Sequence, residues 1–196
     1  MILSKKDLNY YLECDRIALK YSSRRPRLIG SDIWKFQILL RKTEYLENNK
    51  HRILNKILLK IYAYRLYKKQ VKLGFSIPLN VFGPGLAIAH RGTIVVNSNA
   101  KIGKNCRIHE GVTIGANGYG KKKAATIGDN VFIGTGAKII GDIRIADGIA
   151  IGAGSIVVDD FLEPNITIGG NIAKKISSKN SNEHLIKATE LIDLNE

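Results

Sequence analysis

Residues 126–158 read TIGDNVFIGTGAKIIGDIRIADGIAIGAGSIVV, and an aliphatic side chain returns at every sixth position of this stretch. A β-strand repeats every two residues or so and an α-helix about every 3.6, so neither element produces a period of six. A solenoid of short repeats does. The stretch therefore predicts a triangular β-coil, in which each six-residue unit forms one side and its aliphatic side chain points to the axis. The ten positions that carry the period are Val96, Ile102, Ile108, Ile114, Ile127, Ile133, Ile139, Ile145, Ile151 and Val157.

Small and turn-forming residues follow the aliphatic positions. Glycine is frequent there, and Asn and Asp stand near the expected corners. We expect the corners to need these residues because they adopt backbone angles that other side chains resist. Three units make one coil, and successive coils should stack at about 4.8 Å, the spacing of paired strands. The glycines concerned are Gly103, Gly115, Gly128, Gly134 and Gly152.

The period is interrupted between Ile114 and Ile127. These residues lie 13 positions apart, where 12 would keep the period, which indicates that the register slips by one. We interpret residues 116–125, which include the run Lys121–Lys123, as a loop thrown out from a corner. Such insertions gather on the binding face of a solenoid, although a lysine run is more commonly a solvated surface.

The N-terminal part of the chain is basic and helical in texture. Residues 1–75 carry 18 Lys and Arg against 6 Asp and Glu, whereas the remainder carries 13 against 11. Residues 36–72 lack Gly and Pro, which predicts a continuous helix that Gly74 ends. Its predicted apolar face consists of Ile53, Leu54, Ile57, Leu58, Ile61 and Tyr62.

The sequence thus predicts a mainly β protein with an α-helical head. The expected domains are a basic helical head over 1–73, a β-helix over 74–176 and a C-terminal tail over 177–196 that is helical or mobile. Its two cysteines, Cys14 and Cys106, stand far apart, which disfavours a disulfide scaffold or structural zinc, and we expect no metal. With no secretion signal and no long apolar run, the expected location is the cytoplasm.

Four motifs carry a resemblance to a known family. They are GPGLAIAHRGTIVV (83–96), IGKNCRIHEGVTIG (102–115), VFIGTGAKIIGDIRI (131–145) and IAIGAGSIVV (149–158). In order and spacing the region 74–176 resembles the serine acetyltransferase branch of the left-handed β-helix acyltransferases, which are built of hexapeptide repeats. The resemblance implies a left-handed parallel β-helix, a homotrimer and acetyl-CoA as the acyl donor, held between coils.

The resemblance also assigns residues to roles. His90 corresponds to the family's general base, which removes the proton from the acceptor hydroxyl. Lys174 corresponds to a basic residue that could meet the CoA phosphates, with Lys175 helping. The remaining positions implied to contact the donor are Gly134, Thr135, Gly136, Gly152, Ala153 and Gly154, where small residues let the pantetheine arm run along the coil.

Two residues near His90 keep more than one interpretation. His109 lies 19 residues after His90, about one coil on, so we expect the two imidazoles ~5 to 7 Å apart. His109 either lines the acceptor pocket or makes a structural hydrogen bond at a corner. Glu110 is assigned with it to acceptor binding and is a candidate for orienting one imidazole, although a solvated carboxylate is the commoner meaning. His51 and His184 stand in polar, helix-like surroundings and are given no role.

The departures from the family bear on the acceptor. Where the family has Asp before the catalytic His this chain has Ala89, and where it has a second His this chain has Ala124. An acidic partner of the base is replaced around Phe75 and Ser76. Because the first two groups grip the charged ends of serine in the family, their loss disfavours free serine. We expect a sugar hydroxyl of a capsule, lipopolysaccharide or exopolysaccharide unit.

Other functions remain open at this point. They are serine O-acetylation in cysteine biosynthesis, N-acetylation of an amino sugar, and a non-enzymatic solenoid scaffold. The basic head suits peripheral contact with the inner face of an anionic membrane, an acidic polysaccharide, or the diphosphate of a nucleotide sugar. Packing within a trimer is its simplest use. No nucleic acid partner is expected, because no nucleic-acid-binding fold accompanies the charge.

Overall fold

The computed structural model describes residues 1–118 and 123–194. Three helices form the N-terminal head: α1 (Lys5–Ala18), α2 (Asp32–Asn48) and α3 (Ile53–Leu73). Helix α1 begins with a capping box, in which Ser4 and Asp7 each accept a hydrogen bond from the other's backbone N–H. Helix α3 ends at Gly74, whose φ of 80° lies in the left-handed region that favours glycine.

Short strands follow the head. They are β1 (Phe75–Ser76), β2 (Ala87–Ile88), β3 (Ile94–Val96), β4 (Lys101–Ile102), β5 (Arg107–Ile108), β6 (Thr113–Gly115), β7 (Thr126–Ile127), β8 (Phe132–Ile133), β9 (Lys138–Ile140), β10 (Arg144–Ile145), β11 (Ala150–Ile151), β12 (Ile156–Val157), β13 (Thr167–Gly169) and β14 (Lys174–Ser177). A 3-10 turn (Ser181–Glu183) and helix α4 (Ala188–Asp193) complete the described chain.

The strands form the three faces of a β-helix. The sheet orders are β1-β3-β6-β9-β12, β10-β7-β4 and β14-β13-β11-β8-β5-β2, and every pair except β13 with β14 is parallel. In register, Ile108 stands over Ile133 and Ile133 over Ile151. All ten residues of the six-residue period are buried, with at most 5% of any side chain exposed. The predicted aliphatic interior is confirmed.

Three of the five glycines that follow the aliphatic positions, Gly103, Gly128 and Gly134, are needed for a different reason from the one expected. Positive φ angles occur at other glycines, such as Gly136 and Gly148, and at Asn105 and Asn130. At Gly134, by contrast, an added Cβ would lie 2.7 Å from the backbone nitrogen of Ala153 in the next coil. Close approach of neighbouring coils therefore selects glycine there.

This close approach predicts the effect of a substitution. We expect Gly134→Ala to lower the free energy of unfolding by about 1–3 kcal/mol, because backbone on the next coil must shift. Gly152→Ala is the matched control, since it lies at the equivalent corner one coil on and its added Cβ has no neighbour nearer than 3.4 Å. Urea unfolding measures both. Equal losses in the two variants would contradict the role of close approach.

The interruption of the period is larger than a slip of one. Ile114 in β6 and Ile127 in β7 belong to consecutive sides, so the spacing expected between them is six residues and the loop adds seven. The insertion thus lies between β6 and β7 in the chain, where one side of the coil is followed by the next, as expected of a solenoid. Lys123 pairs with Asp142 at 3.0 Å, whereas Lys121 and Lys122 lie outside the described residues.

The head differs from the prediction in two respects. The continuous helix is broken, because α2 ends at Asn48 and α3 begins at Ile53. The predicted apolar face of α3 is also largely exposed: the exposed fraction is 78% for Ile53, 57% for Ile57 and 51% for Ile61. The opposite side of α3, including the buried Leu66, packs instead. None of the described helices combines the length and apolarity needed to cross a bilayer.

The tail packs along the β-helix. Asn105 and Thr189 exchange two hydrogen bonds, of 2.8 and 3.1 Å. The backbone N–H of Ser181 donates to Gly148, so the 3-10 turn also lies against the coils. This path carries residues 183–185 past the sheet that contains β2, β5 and β8.

Candidate functional site

Residues from successive coils stack along one edge of the β-helix, at the corner that follows β2, β5, β8 and β11. Because Ile88, Ile108, Ile133 and Ile151 are in register, the residues that follow them are aligned as well. The edge therefore brings together nearly all the residues predicted for the site. In order from the head they are His90, then His109 and Glu110, then Gly134, Thr135 and Gly136, then Gly152, Ala153 and Gly154.

His90 and His109 lie next to each other at the start of this edge. Their ring centroids are 5.5 Å apart and the rings meet edge to face at 70°. This agrees with the separation expected from the sequence. His90 is exposed, whereas His109 is partly buried. The exposed ring is the one open to a ligand.

Glu110 faces both imidazoles. Its Oε1 accepts a hydrogen bond of 2.6 Å from the Thr135 hydroxyl. Its Oε2 is buried, lies 3.9 Å from Nδ1 of His109 and has no hydrogen-bond partner among the described residues. A buried carboxylate oxygen without a donor is costly, so this oxygen is set to accept a proton donor from an imidazole or a ligand.

The surroundings of this cluster favour an ionised Glu110 and a neutral His109. The Thr135 hydroxyl holds the pKa of Glu110 below its usual range, so the carboxylate is ionised. Burial, and then the nearby Arg107, lower the pKa of His109. Nε2 of His109 accepts a hydrogen bond of 3.4 Å from Arg107, which leaves the neutral ring's proton on Nδ1, toward Glu110.

The same three side chains could also ligate a cation. Donor atoms of His90, His109 and Glu110 all lie within 4.8 Å of one another. Two imidazoles and a carboxylate are a donor set that suits zinc. The sequence predicted no metal, and a chelator control therefore belongs in any assay of this site.

A cavity of about 540 Å³ opens beside His109, between the β-helix, the head and the tail. The Phe132 ring lies 5.2 Å from that of His109 and 4.7 Å from that of His184. Trp34 lines the head side, stacked on Tyr21 at 4.4 Å. Sequence reasoning missed these aromatic residues, and it did not expect His184, to which it gave no role, to line the cavity. His184 reaches Phe132 through the path of the tail, for which the sequence carries no local signal.

At three positions where the resemblance implies a polar side chain, this chain has apolar residues. Ala89 lines the cavity beside His109, so no carboxylate stands there. Ala124 is buried, with 4% of the residue exposed. Phe75 is buried in β1. Lys174 is exposed on β14, at the far end of the site edge, and pairs in register with Gly169.

Comparison with known proteins gives matches among solved structures only. No family model matches the chain, and no curated protein sequence gives a significant match. Serine acetyltransferase from Neisseria gonorrhoeae is 28% identical, with a TM-score of 0.67, over 89% of this chain and 68% of that one. The structure of that enzyme in complex with serine is 28% identical, with a TM-score of 0.68, over 89% of this chain and 71% of that one. A Brucella abortus serine acetyltransferase in complex with coenzyme A is 24% identical, with a TM-score of 0.60, over 89% of this chain and 68% of that one.

The fold and the edge of stacked corners define a left-handed β-helix acyltransferase of the hexapeptide-repeat class. Within that class the chain resembles the serine acetyltransferases, whose solved structures match it over 89% of its length, a span that includes both helical head and β-helix. The resemblance seen in the motifs is thereby confirmed.

Proposed function

We propose that this protein is an acetyl-CoA-dependent O-acetyltransferase in which His90 is the general base, and that its acceptor is a sugar hydroxyl. The observation that carries the proposal is the juxtaposition of His90, His109 and the unpaired oxygen of Glu110 at one end of a strip of small residues. An exposed imidazole beside a cavity can reach an acceptor hydroxyl.

His90 would move one proton twice. It accepts the proton of the acceptor hydroxyl as the oxygen attacks the thioester carbonyl carbon, and the C–S bond then breaks. The imidazolium returns the proton to the departing thiolate, so the products are an ester and free CoA thiol. Backbone N–H groups at the corners would stabilise the negative charge on the carbonyl oxygen.

Glu110 and His109 would support this cycle. A carboxylate that is held ionised by Thr135 stabilises the imidazolium that forms on His90. Glu110 would thus supply the acidic partner that the chain lacks at Phe75. His109, kept neutral by burial and Arg107, can donate from Nδ1 without competing for the proton.

The donor would lie along the edge, on the side of His90 away from the head. The corner residues of β8 and β11 present backbone with little side chain, and an added Cβ at Gly154 would meet open space. Acetyl-CoA supplies the activated acyl group there. Lys174 stands at the end of this edge, about 24 Å from the His90 coil by strand spacing, where it would meet the CoA phosphates.

The cavity supports a sugar as acceptor. It is lined by aromatic side chains, including Trp34 and Phe132, and by polar groups such as Arg107. Rings of this kind bury the apolar faces of a ligand, while convergent polar groups fix its orientation. Ala89 offers no carboxylate to a free amino group.

Serine is the second candidate, and the comparisons favour it over a sugar. The solved structures compared above are serine acetyltransferases, one of them in complex with serine. Arg107 and Glu183, which both line the cavity, carry the charges that would meet a carboxylate and an ammonium group. Serine therefore belongs in the same experiment.

The test is release of CoA from acetyl-CoA with serine, neutral oligosaccharides and diphosphate-linked sugars as acceptors, with and without a chelator. We expect turnover with a sugar acceptor that survives chelation, since the proposed base needs no metal. Turnover with serine alone would overturn the sugar proposal in favour of the second candidate. Loss of turnover on chelation would overturn the role of His90 as a free base.

Assembly and location are also proposals. We propose a homotrimer, because the site edge is open on one side and a neighbouring subunit would enclose the donor. Peripheral contact of the head with an anionic membrane surface, inside the cytoplasm, is supported by helix α3: its exposed Ile53, Ile57 and Ile61 accompany six basic residues and no acidic one. Binding of the protein to phosphatidylglycerol vesicles measures that contact.

A further inference from the structure

A groove between α2 and α3 is strongly basic. It has a volume of about 680 Å³ and is separate from the cavity beside His109. Six cationic side chains line it, and no acidic residue is among the groups described along it. The six are Lys35, Lys42, Arg65, Lys68, Lys69 and Lys72.

Most of this charge is uncompensated. Lys69 pairs with Asp32 at 3.3 Å, and Lys35 donates to the backbone of Leu28. Within the described chain the other four cations form no ion pair. Cations held this close repel one another and raise the local anion concentration, so the groove is suited to a ligand with several negative charges.

The groove is connected to the site through one carboxylate. Asp32 contacts Lys69 on the groove side through Oδ1 and Arg91 through Oδ2, the latter at 3.4 Å. Arg91 directly follows His90 in the chain. The groove therefore lies on the head side of His90, opposite the strip of small residues proposed for the donor.

We infer that this groove binds the diphosphate of a carrier-linked sugar and so holds the acceptor while its hydroxyl reaches His90. The inference rests on the proposed function, since it names the class of acceptor. Lysine and arginine side chains bind phosphate groups through charge-assisted hydrogen bonds. A neutral sugar offers nothing to six cations, whereas a diphosphate esterified at both ends supplies about two negative charges. The diphosphate comes either from a nucleotide sugar or from a lipid carrier, and the two sources differ in whether the ligand is soluble.

The experiment measures binding to the full chain in saturating CoA, so that the donor's own phosphate site is filled. Probes are inorganic pyrophosphate, a nucleotide diphosphate sugar, phosphatidylcholine vesicles carrying a polyprenyl diphosphate sugar, and plain phosphatidylglycerol vesicles. The variant is Lys68→Ala with Lys72→Ala. Its matched control is Lys56→Ala with Lys60→Ala, which removes equal charge from the same helix but outside the groove.

We expect the groove variant to bind pyrophosphate about tenfold or more weakly than wild type, with the control unchanged and with weaker binding at high salt. Tighter binding of the nucleotide sugar would assign the soluble source, and tighter binding of the carrier vesicles would assign the lipid source. Equal loss in both variants, or vesicle binding that ignores the diphosphate, would overturn the groove in favour of general membrane attraction.

Acetyl transfer separates this inference from the function it rests on. Transfer to a diphosphate-linked sugar at wild-type rate by the groove variant would overturn the groove and leave the O-acetyltransferase standing. Groove-dependent pyrophosphate binding with no transfer to any sugar would uphold the groove as a phosphate site and overturn the proposed acceptor.

Discussion

Replacing His90 by alanine lowers kcat/KM for acetyl transfer by about 10² to 10⁴, the range expected when a general base is removed. His90 is exposed at a corner, and its only ring contact in the described structure is with His109. Its loss therefore leaves no cavity and adds no unpaired buried group beyond the oxygen of Glu110 that already lacks a donor. We expect the melting temperature to stay within about 2 °C of wild type, a shift that corresponds to about 0.5–1 kcal/mol for a domain of this size.

His51→Ala is the control for this substitution, because His51 is an exposed histidine of the head, far along the chain from the edge. It should change neither rate nor melting temperature. Steady-state kinetics with whichever acceptor supports release of CoA, together with calorimetry, give both values. A fall in melting temperature that accompanies the loss of activity would identify His90 as structural. Unchanged activity in His90→Ala would overturn the role of His90 as the general base.

The β-helix could be predicted from the sequence because each of its coils repeats the same local requirement. An interior position such as Ile133 accepts one aliphatic side chain, and the next coil imposes the same requirement on Ile151. The six-residue period is therefore visible directly in the sequence. The reason for each glycine could not be predicted from the sequence, because two different requirements select the same residue. At Gly134 it is close approach to the neighbouring coil, and at Gly136 it is a positive φ.

The helical head was predicted in type but not in detail. Amphipathic spacing identifies an apolar stripe on a helix, but it does not show whether that stripe packs against the rest of the protein. In α3 the stripe through Ile57 and Ile61 stays exposed, while Leu66 on another side is buried. The break at residues 49–52 contains neither Gly nor Pro and so gave no signal.

The site was predictable where it follows the period. His109 and Glu110 stand one coil from His90, and the register converts that sequence spacing into a contact. Phe132 lay within a recognised motif but had no predicted partner. His184 reaches Phe132 only because the tail crosses the sheet, and a contact of that sequence separation has no counterpart in local pattern.

The head is held to the β-helix by a buried arginine. Arg41 is fully buried and pairs with Asp15 at 2.8 Å and with Glu44 at 3.0 Å. It also donates to the backbone carbonyls of Phe82 and Gly83 at 2.9 and 2.7 Å, so all five of its N–H donors are used. The carboxylates in turn accept backbone hydrogen bonds from the first coil.

Arg41→Met should accordingly lower the free energy of unfolding by about 3–5 kcal/mol, because it leaves two buried carboxylates without their counter-charge. Lys50→Met is the control: it removes an exposed pair with Glu47, 60% and 34% exposed, and should cost less than about 1 kcal/mol. Urea unfolding measures both. An equal, small effect in the two variants would show that Arg41 is not what anchors the head.

The pH dependence of the Arg41→Met variant tests the electrostatic cause. Desolvation by burial raises the pKa of Asp15 and of Glu44, and in the wild type Arg41 opposes that rise. Without Arg41 the folded-state pKa values move further above the unfolded ones, so the folded variant binds protons more readily than the unfolded chain. Its stability is then lost as pH rises through the folded-state pKa values, and the deficit relative to wild type should be larger at pH 8 than at pH 5. A deficit independent of pH would mean that lost packing of the arginine side chain, rather than its charge, explains the destabilisation.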